Sequence, residues 1–343
     1  MLFSQLVLNW YHQNGRKSLP WKKDKNPYKV WISEIMLQQT QVKTVIPYYK
    51  KFIKKFPNVN ILAHTTINHI LNAWSGLGYY NRAHNIYRTA NIIVKNYQGK
   101  FPDNLIDIIK LPGIGRTTAG AILSFGFNLY ACILECNIKR LLLRYFNLHN
   151  YNTKHIDKKL WSIINLLTPI HKTSQFNQAI MDIGALICLK SLPKCYICPI
   201  NKTCLFFIQK QKIEKFIYTP KKQKKTENIF LLIIQYKNLM FLCKSSINKI
   251  WKGLYCFPTF YNQLEILKWI KENNIKIKSQ KMFEKFIYKI SHIHFFCTPI
   301  KIKITNSYFI NEIKQSMWLN VLKPQCVGLS TLTKKVIKIC LIT

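Results

Sequence analysis

The sequence predicts two regions in series: an all-α part over residues 1–212, and an α+β part over residues 228–343, joined by a basic linker over 213–227. Three observations carry that expectation. Up to about Lys212 the apolar residues recur at the spacing of a helix face, as in Leu62, Ile67, Ile70, Leu71 and Trp74. There follows a stretch too polar to pack, Thr219-Pro220-Lys221-Lys222-Gln223-Lys224-Lys225-Thr226, which reads as a solvated linker. Beyond it, short runs rich in Ile, Phe and Tyr at residues 229–235, 239–243, 288–296 and 300–304 read as strands, with one helix-like segment at 264–270.

With 343 residues, 48% of them hydrophobic, the chain can bury a sizeable core, which excludes general disorder. It has no uncharged apolar run long enough to span a membrane, and residues 1–20 carry Asn9, His12, Gln13 and Arg16 where an export signal is apolar. A soluble, cytoplasmic chain is expected. The charge is extreme, 52 Lys+Arg against 13 Asp+Glu for a net +39, and such a field attracts polyanions and repels its own copies. Nucleic acid is therefore the expected partner and a monomer the expected state. Part of the excess follows the crowding of Lys, Ile, Asn, Phe and Tyr, whose codons are rich in A and T. Arginine is more selective: Arg16, Arg82, Arg88, Arg116, Arg140 and Arg144 all fall within the first 144 residues.

Among only 11 glycines, two pairs punctuate the helical part, Gly76-Leu77-Gly78 and Gly113-Ile114-Gly115. Each ends one helical run and begins another, and glycine at both places of a pair allows positive φ. They read as helix-hairpin-helix joints. At Leu111-Pro112-Gly113-Ile114-Gly115-Arg116 the hairpin turns backbone N–H groups and a helix N-terminus outward, a phosphate site to which Arg116 adds charge. The alternative is that both pairs are simple helix C-caps.

Acidic residues are scarce enough to audit. Three in the first part lie among apolar neighbours: Glu34 in Ile32-Ser33-Glu34-Ile35, Glu135 in Ile133-Leu134-Glu135-Cys136, and Asp182 in Ile180-Met181-Asp182-Ile183. A carboxylate so placed is paired, hydrogen-bonded or kept protonated, and a raised pKa is what a general acid near neutral pH needs. Of the 11 cysteines, Cys188, Cys195, Cys198 and Cys204 stand at ligand spacing with Pro193 and Pro199 between them; four thiolates so spaced suit zinc or a [4Fe-4S] cluster. Spacing alone leaves zinc ahead.

Together, the segment Leu111-Pro112-Gly113-Ile114-Gly115-Arg116-Thr117-Thr118-Ala119-Gly120, a carboxylate some twenty residues later and the cysteine spacing resemble the helix-hairpin-helix, iron-sulfur DNA glycosylases. The resemblance is strongest to MutY-type adenine DNA glycosylases. It extends through Leu19-Pro20-Trp21, the run from Pro27 to Val42, Gly76-Leu77-Gly78-Tyr79-Tyr80-Asn81-Arg82-Ala83 and Phe176-Asn177-Gln178-Ala179.

That resemblance implies a bacterial, DNA-associated, monofunctional enzyme of base excision repair. It would hydrolyse the N-glycosidic bond of adenine mispaired with 8-oxoguanine or guanine in double-stranded DNA, after the adenine is flipped from the stack. It assigns the four cysteines to a [4Fe-4S] cluster over residues 188–204. It makes Glu34 the acid that protonates adenine and Glu135 the carboxylate that stabilises positive charge on the sugar. Gln39 and Tyr79 match positions that wedge into the duplex, while Gly113, Gly115, Arg116 and Asn137 match DNA-binding positions. Thr117 stands where endonuclease III relatives carry a lysine that attacks the sugar, so no lyase step is expected.

One departure stands out. Where the family has Asp-Gly-Asn this chain has Glu135-Cys136-Asn137, one methylene longer at the acid, and a misplacement of about 1 Å costs on the order of 100-fold in rate. A lesion-binding protein with weakened catalysis is therefore an alternative, and an endonuclease III-like enzyme is another. The second part resembles the family's Nudix-like domain but lacks that fold's box of clustered carboxylates for magnesium. Its Ser291-His292 matches the loop that inspects 8-oxoguanine, with Ile290 before it where the family usually has Phe.

Overall fold

The computed structural model describes residues 2–24, 26–148, 153–210, 212, 225–244, 251–290, 293–305, 315–323 and 327–342. The chain divides into two compact units, residues 1–63 with 88–220, and residues 64–87 with 221–343. The helices between 64 and 87 thus group with the strand-rich part. Residues 213–224 of the expected linker lie outside the described residues, and residues 225–227 open the first strand.

The first unit is helical. It holds α1 (Leu2–Asn14), α2 (Pro20–Lys23), α3 (Pro27–Leu37), α4 (Val42–Lys55) and α5 (Val59–Ala63). In the second unit α6 (Ile67–Trp74) leads to the start of α7 (Asn81–Tyr97), whose later turns return to the first. There follow α8 (Leu105–Lys110), α9 (Arg116–Ala121), a π-helical turn (Ile122–Gly126), α10 (Cys136–Tyr145), α11 (Thr153–Leu167), α12 (Thr173–Leu186) and, beyond the cysteine loop, α13 (Leu205–Ile208). The core of this unit is largely apolar: Val7, Trp31, Ile32, Ile122, Phe176 and Ile180 are fully buried, with a few polar groups such as Asn177 and Asp182 among them. Ridges of such side chains on neighbouring helices exclude water and supply most of the stabilisation.

In the second unit, one mixed sheet contains β1 (Lys225–Tyr236), β2 (Leu239–Lys244), β3 (Tyr255–Cys256), β4 (Thr259–Phe260), β5 (Ile277–Met282), β6 (Phe286–Ile290), β7 (Ile293–Ile304) and β8 (Ser316–Asn320). Its helices are α14 (Gln263–Glu272) and α15 (Thr331–Ile342). β1 and β7 run parallel from Lys225↔Ile293 to Gln235↔Lys303, and the remaining pairs are antiparallel. Leu232, Ile234, Phe241, Ile300, Ile302 and Ile266 of α14 form its core.

Two expected strands, 288–296 and 300–304, become β6 and one long β7 that runs through Pro299. The proline is tolerated because its carbonyl accepts from Phe283 N at 3.0 Å, and its nitrogen shares that side of the strand, where the ladder passes from β5 to β6 and asks for no N–H.

Candidate active site

Glu34 rides on the last turn of α3. Pro27 starts this helix, Asn26 caps it by accepting the Lys29 N–H at 2.8 Å, and Val30, Trp31, Ile35 and Met36 bury its inner face. With the helix so fixed, Glu34 is held half-buried among these side chains. Burial, and secondarily the negative charge of Glu135, raises its carboxyl from the ordinary 4.5 to about 7. Such a group is half protonated at neutral pH.

Glu135 is set by the segment that leads into α10. Gly120 of α9 lets the segment before Glu135 pass close by: a Cβ there would sit 2.3 Å from Cys132 O. Thr117 Oγ1 donates to Leu134 O at 3.0 Å and pins the same segment. Glu135 then caps α10, its Oε1 accepting from Ile138 N at 3.0 Å and its Oε2 from Asn137 N at 2.9 Å. Asn137 Nδ2 and Cys136 Sγ also donate to Oε2, at 3.0 and 3.2 Å. These are the N–H groups an aspartate N-cap satisfies. The longer glutamate therefore curls back onto the helix end, and the extra methylene is taken up locally.

Asn137 continues the network inward. Its Oδ1 accepts from Arg140 Nη2 at 2.8 Å, and the same guanidinium donates to Gly184 O and to Cys188 O at 2.6 and 2.8 Å. The approach of α10 to α12 requires Gly184, where a Cβ would lie 2.8 Å from Asn137 Cβ. One turn on, the buried Arg144 donates to Leu189 O and Lys190 O at 2.6 and 2.8 Å and lies 3.5 Å from Cys188 Sγ. Reasoning from sequence missed both arginines as functional elements, although their confinement to the first 144 residues was the available signal.

Cys188, Cys195, Cys198 and Cys204 line a single pocket walled by Leu141, Ile187 and Phe206. Burial pushes the Cys198 thiol up to about 12 and raises Cys195 and Cys204, with the neighbouring cysteines adding to each. Among the described residues no group of three or more His, Cys, Asp or Glu is arranged to hold a metal ion.

The hairpin before α9 differs from expectation at one glycine. Gly113 has φ +79, but Gly115 caps α9 in extended conformation, φ −93, and a Cβ there would meet nothing within 4 Å. No side chain caps α9, so its first N–H groups take no side-chain partner. Arg116 lies exposed beside them, its guanidinium 4.0 Å from the centre of the Trp161 ring. Gln39 and, in the other unit, Tyr79 both adopt the left-handed conformation, φ 54 and 50, with exposed side chains. That backbone is costly for residues with a Cβ, though eight other described non-glycine residues share it.

Asp182, the one of the three acids that is buried, is structural: Arg16 N, Nε and Nη2 donate to it at 2.9, 2.8 and 2.6 Å, with Lys22 Nζ at 3.4 Å. It closes the N-terminal segment onto α12. Ser291 and His292 lie outside the described residues.

The HhH-GPD superfamily of base excision DNA repair proteins matches residues 32–166. An adenine DNA glycosylase of Buchnera aphidicola subsp. Baizongia pistaciae is 53% identical over 341 residues, covering 98% of this chain and 96% of the relative. Among solved structures, a thermostable thymine-DNA glycosylase superposes with a TM-score of 0.57 at 30% identity, over 61% of this chain and 96% of that one. A non-covalent endonuclease III–DNA complex shares the fold, with a TM-score of 0.52 at 20% identity over 61% of this chain and 94% of the other. With a carboxyl whose proton is held by burial and by the charge of Glu135, and with relatedness along nearly its whole length, this chain belongs to the adenine DNA glycosylases, base excision repair enzymes of the HhH-GPD superfamily.

Proposed function

We propose that this chain hydrolyses the N-glycosidic bond of adenine paired with 8-oxoguanine or guanine in double-stranded DNA. The observation that carries the proposal is Glu34, held at about 7 by burial and by the charge of Glu135. A proton available at neutral pH turns a flipped adenine into a better leaving group. Once ionised, Glu34 serves as the base for the attacking water. Glu135, with one donor on Oε1 against three on Oε2, keeps acceptor capacity on Oε1 for the positive charge that grows on the deoxyribose. Thr117 spends its hydroxyl on Leu134 O and has no amine, so water and not a Schiff base completes the reaction.

Gly113, Gly115 and Arg116 suit a phosphate at the bare end of α9, where the absence of side chains lets a DNA backbone approach. Asn137 holds Glu135 from behind, and Gln39 and Tyr79 are the wedges. A [4Fe-4S] cluster would be held by Cys188, Cys195, Cys198 and Cys204. Although these side chains are not arranged to hold a metal as they stand, all four cysteines line one pocket, and the Arg144 guanidinium 3.5 Å from Cys188 Sγ would offset thiolate charge, which supports that reading. When bound, the cluster fixes the loop and supplies no chemistry to the glycosidic bond. The sheet unit is read as Nudix-like, with Ser291 and His292 inspecting 8-oxoguanine, within domains at 1–212 and 228–343. The chain is read as a monomer of the bacterial cytoplasm, and no helix of the described residues is long and apolar enough to cross a membrane.

The test is product analysis with purified chain on duplexes carrying A:8-oxoguanine, A:G, or an oxidised pyrimidine. Free adenine from the first two, with the strand intact until alkali is added, is the expected result. Lesion binding without base release would leave only a binding protein, and strand nicking at the pyrimidine would indicate an endonuclease III-like enzyme.

A further inference from the structure

Within the unit formed by residues 64–87 and 221–343, the turn that presents Tyr79 is held from two sides. Its inner bonds come from its own neighbours. Trp74 Nε1 donates to Gly78 O at 3.1 Å, and Arg82 Nη2 donates to Leu77 O and Gly78 O at 3.3 and 3.1 Å. Its outer bonds come from two backbone segments that follow the sheet's strands. Ser75 Oγ donates to Leu329 O at 2.7 Å just before the turn, and His84 Nε2 meets Lys252 O at 3.1 Å just after it.

Both segments approach so closely that a side chain is excluded. A Cβ on Gly328 would lie 2.6 Å from Leu71 Cβ, and one on Gly253, whose φ is +80, would lie 2.8 Å from His84 Nε2. The two segments are also tied together, Tyr255 N donating to Gly328 O at 2.9 Å. Four contacts therefore bracket a turn in which Tyr79 sits at φ 50 with 53% of its surface exposed. A left-handed residue with a Cβ relaxes unless its surroundings over-determine it. The inner bonds fix the turn's shape, and the outer bonds fix where that shape points.

We infer that Ser75, His84, Gly253 and Gly328 are positioning residues for duplex opening, because they anchor the Tyr79 turn to the 252–255 and 328–329 segments. This rests on Tyr79 being a wedge, as proposed above. The sheet unit then acts in base extrusion itself as well as in reading the opposite base, and a disturbance at Leu329 or Lys252 is felt at the wedge.

The experiment reads base unstacking separately from chemistry. In a Glu34→Gln background, full-length chain is mixed with an A:8-oxoguanine duplex carrying 2-aminopurine beside the target adenine, and the fluorescence rise on opening is measured at saturating protein. Tyr79→Ala sets the scale for a lost wedge. Ser75→Ala, which removes the hydrogen bond to Leu329 O without adding volume, should lower the opening equilibrium about fivefold, and Gly328→Ala should lower it further. His84→Leu should behave like Ser75→Ala, while His84→Gln, which keeps an N–H donor, should restore opening. A Tyr79→Ala effect with full opening in Ser75→Ala and His84→Leu would overturn the anchoring alone. No effect of Tyr79→Ala would overturn the wedge reading and the anchoring with it.

Discussion

Replacing Glu34 by Gln should stabilise the folded chain in a pH-dependent way, and the size follows from the site. An unfolded glutamate loses its proton around 4.5, whereas in the folded chain Glu34 keeps it until about 7. Between those values the folded state holds a proton the unfolded state has released, so stability falls as pH rises and levels off above about 7. The gap corresponds to at most about 3–4 kcal/mol. Glutamine has the same shape and nothing to ionise, so the variant escapes this loss. Urea unfolding of both chains at pH 4.5 and pH 8.5 makes the comparison. The variant should differ by only a few tenths of a kcal/mol at the acid end and be more stable by about 2–3 kcal/mol at the basic end. An equal difference at both pH values would mean that Glu34 ionises as freely as in water, and the basis for its role as an acid would be lost.

Because Glu135 already satisfies the N–H groups an aspartate cap would take, Glu135→Asp should leave single-turnover excision within about tenfold, while Glu135→Ala should cost on the order of 100-fold or more; a large gain in Glu135→Asp would show that the longer side chain is misplaced. Cys198→Ser should abolish the brown colour and visible absorption of purified protein and weaken duplex affinity with it, whereas a colourless parent containing zinc would rule out the cluster. Combined Ser291→Ala and His292→Ala should spare excision from A:G while eroding the preference for A:8-oxoguanine, and an unaltered preference would remove that loop from lesion reading.

Much of the candidate site could be picked out because the informative residues are rare in this composition. Glu34 and Glu135 stood out as acids in apolar segments, and the structure brings their charges to bear on one another. Asp182 carried the same local signal with a different meaning, since its partner Arg16 is 166 positions away and no local pattern encodes that pairing. Gly115 was read as a positive-φ glycine, yet its backbone is ordinary; what glycine supplies there is empty space, a property of what approaches the chain and not of the chain itself. The sheet was legible only where burial imposes a pattern. β1 and β2 lie in the core and were expected, whereas β5, Ile-Lys-Ser-Gln-Lys-Met, is exposed along its whole length and carries no period to read. The grouping of residues 64–87 with the sheet was hidden too, because a helix face looks the same whether another helix or a pair of loops covers it.

The central claim is that protonated Glu34, facing Glu135, drives release of adenine, and the most direct measurement is the single-turnover excision rate on an A:8-oxoguanine duplex from pH 5.5 to pH 9. With the proton held to about 7, the rate should bend near neutrality and fall about tenfold per pH unit above it, with Glu34→Gln at or near background throughout. A rate that stays level to pH 9, or a Glu34→Gln variant that retains excision, would contradict the claim.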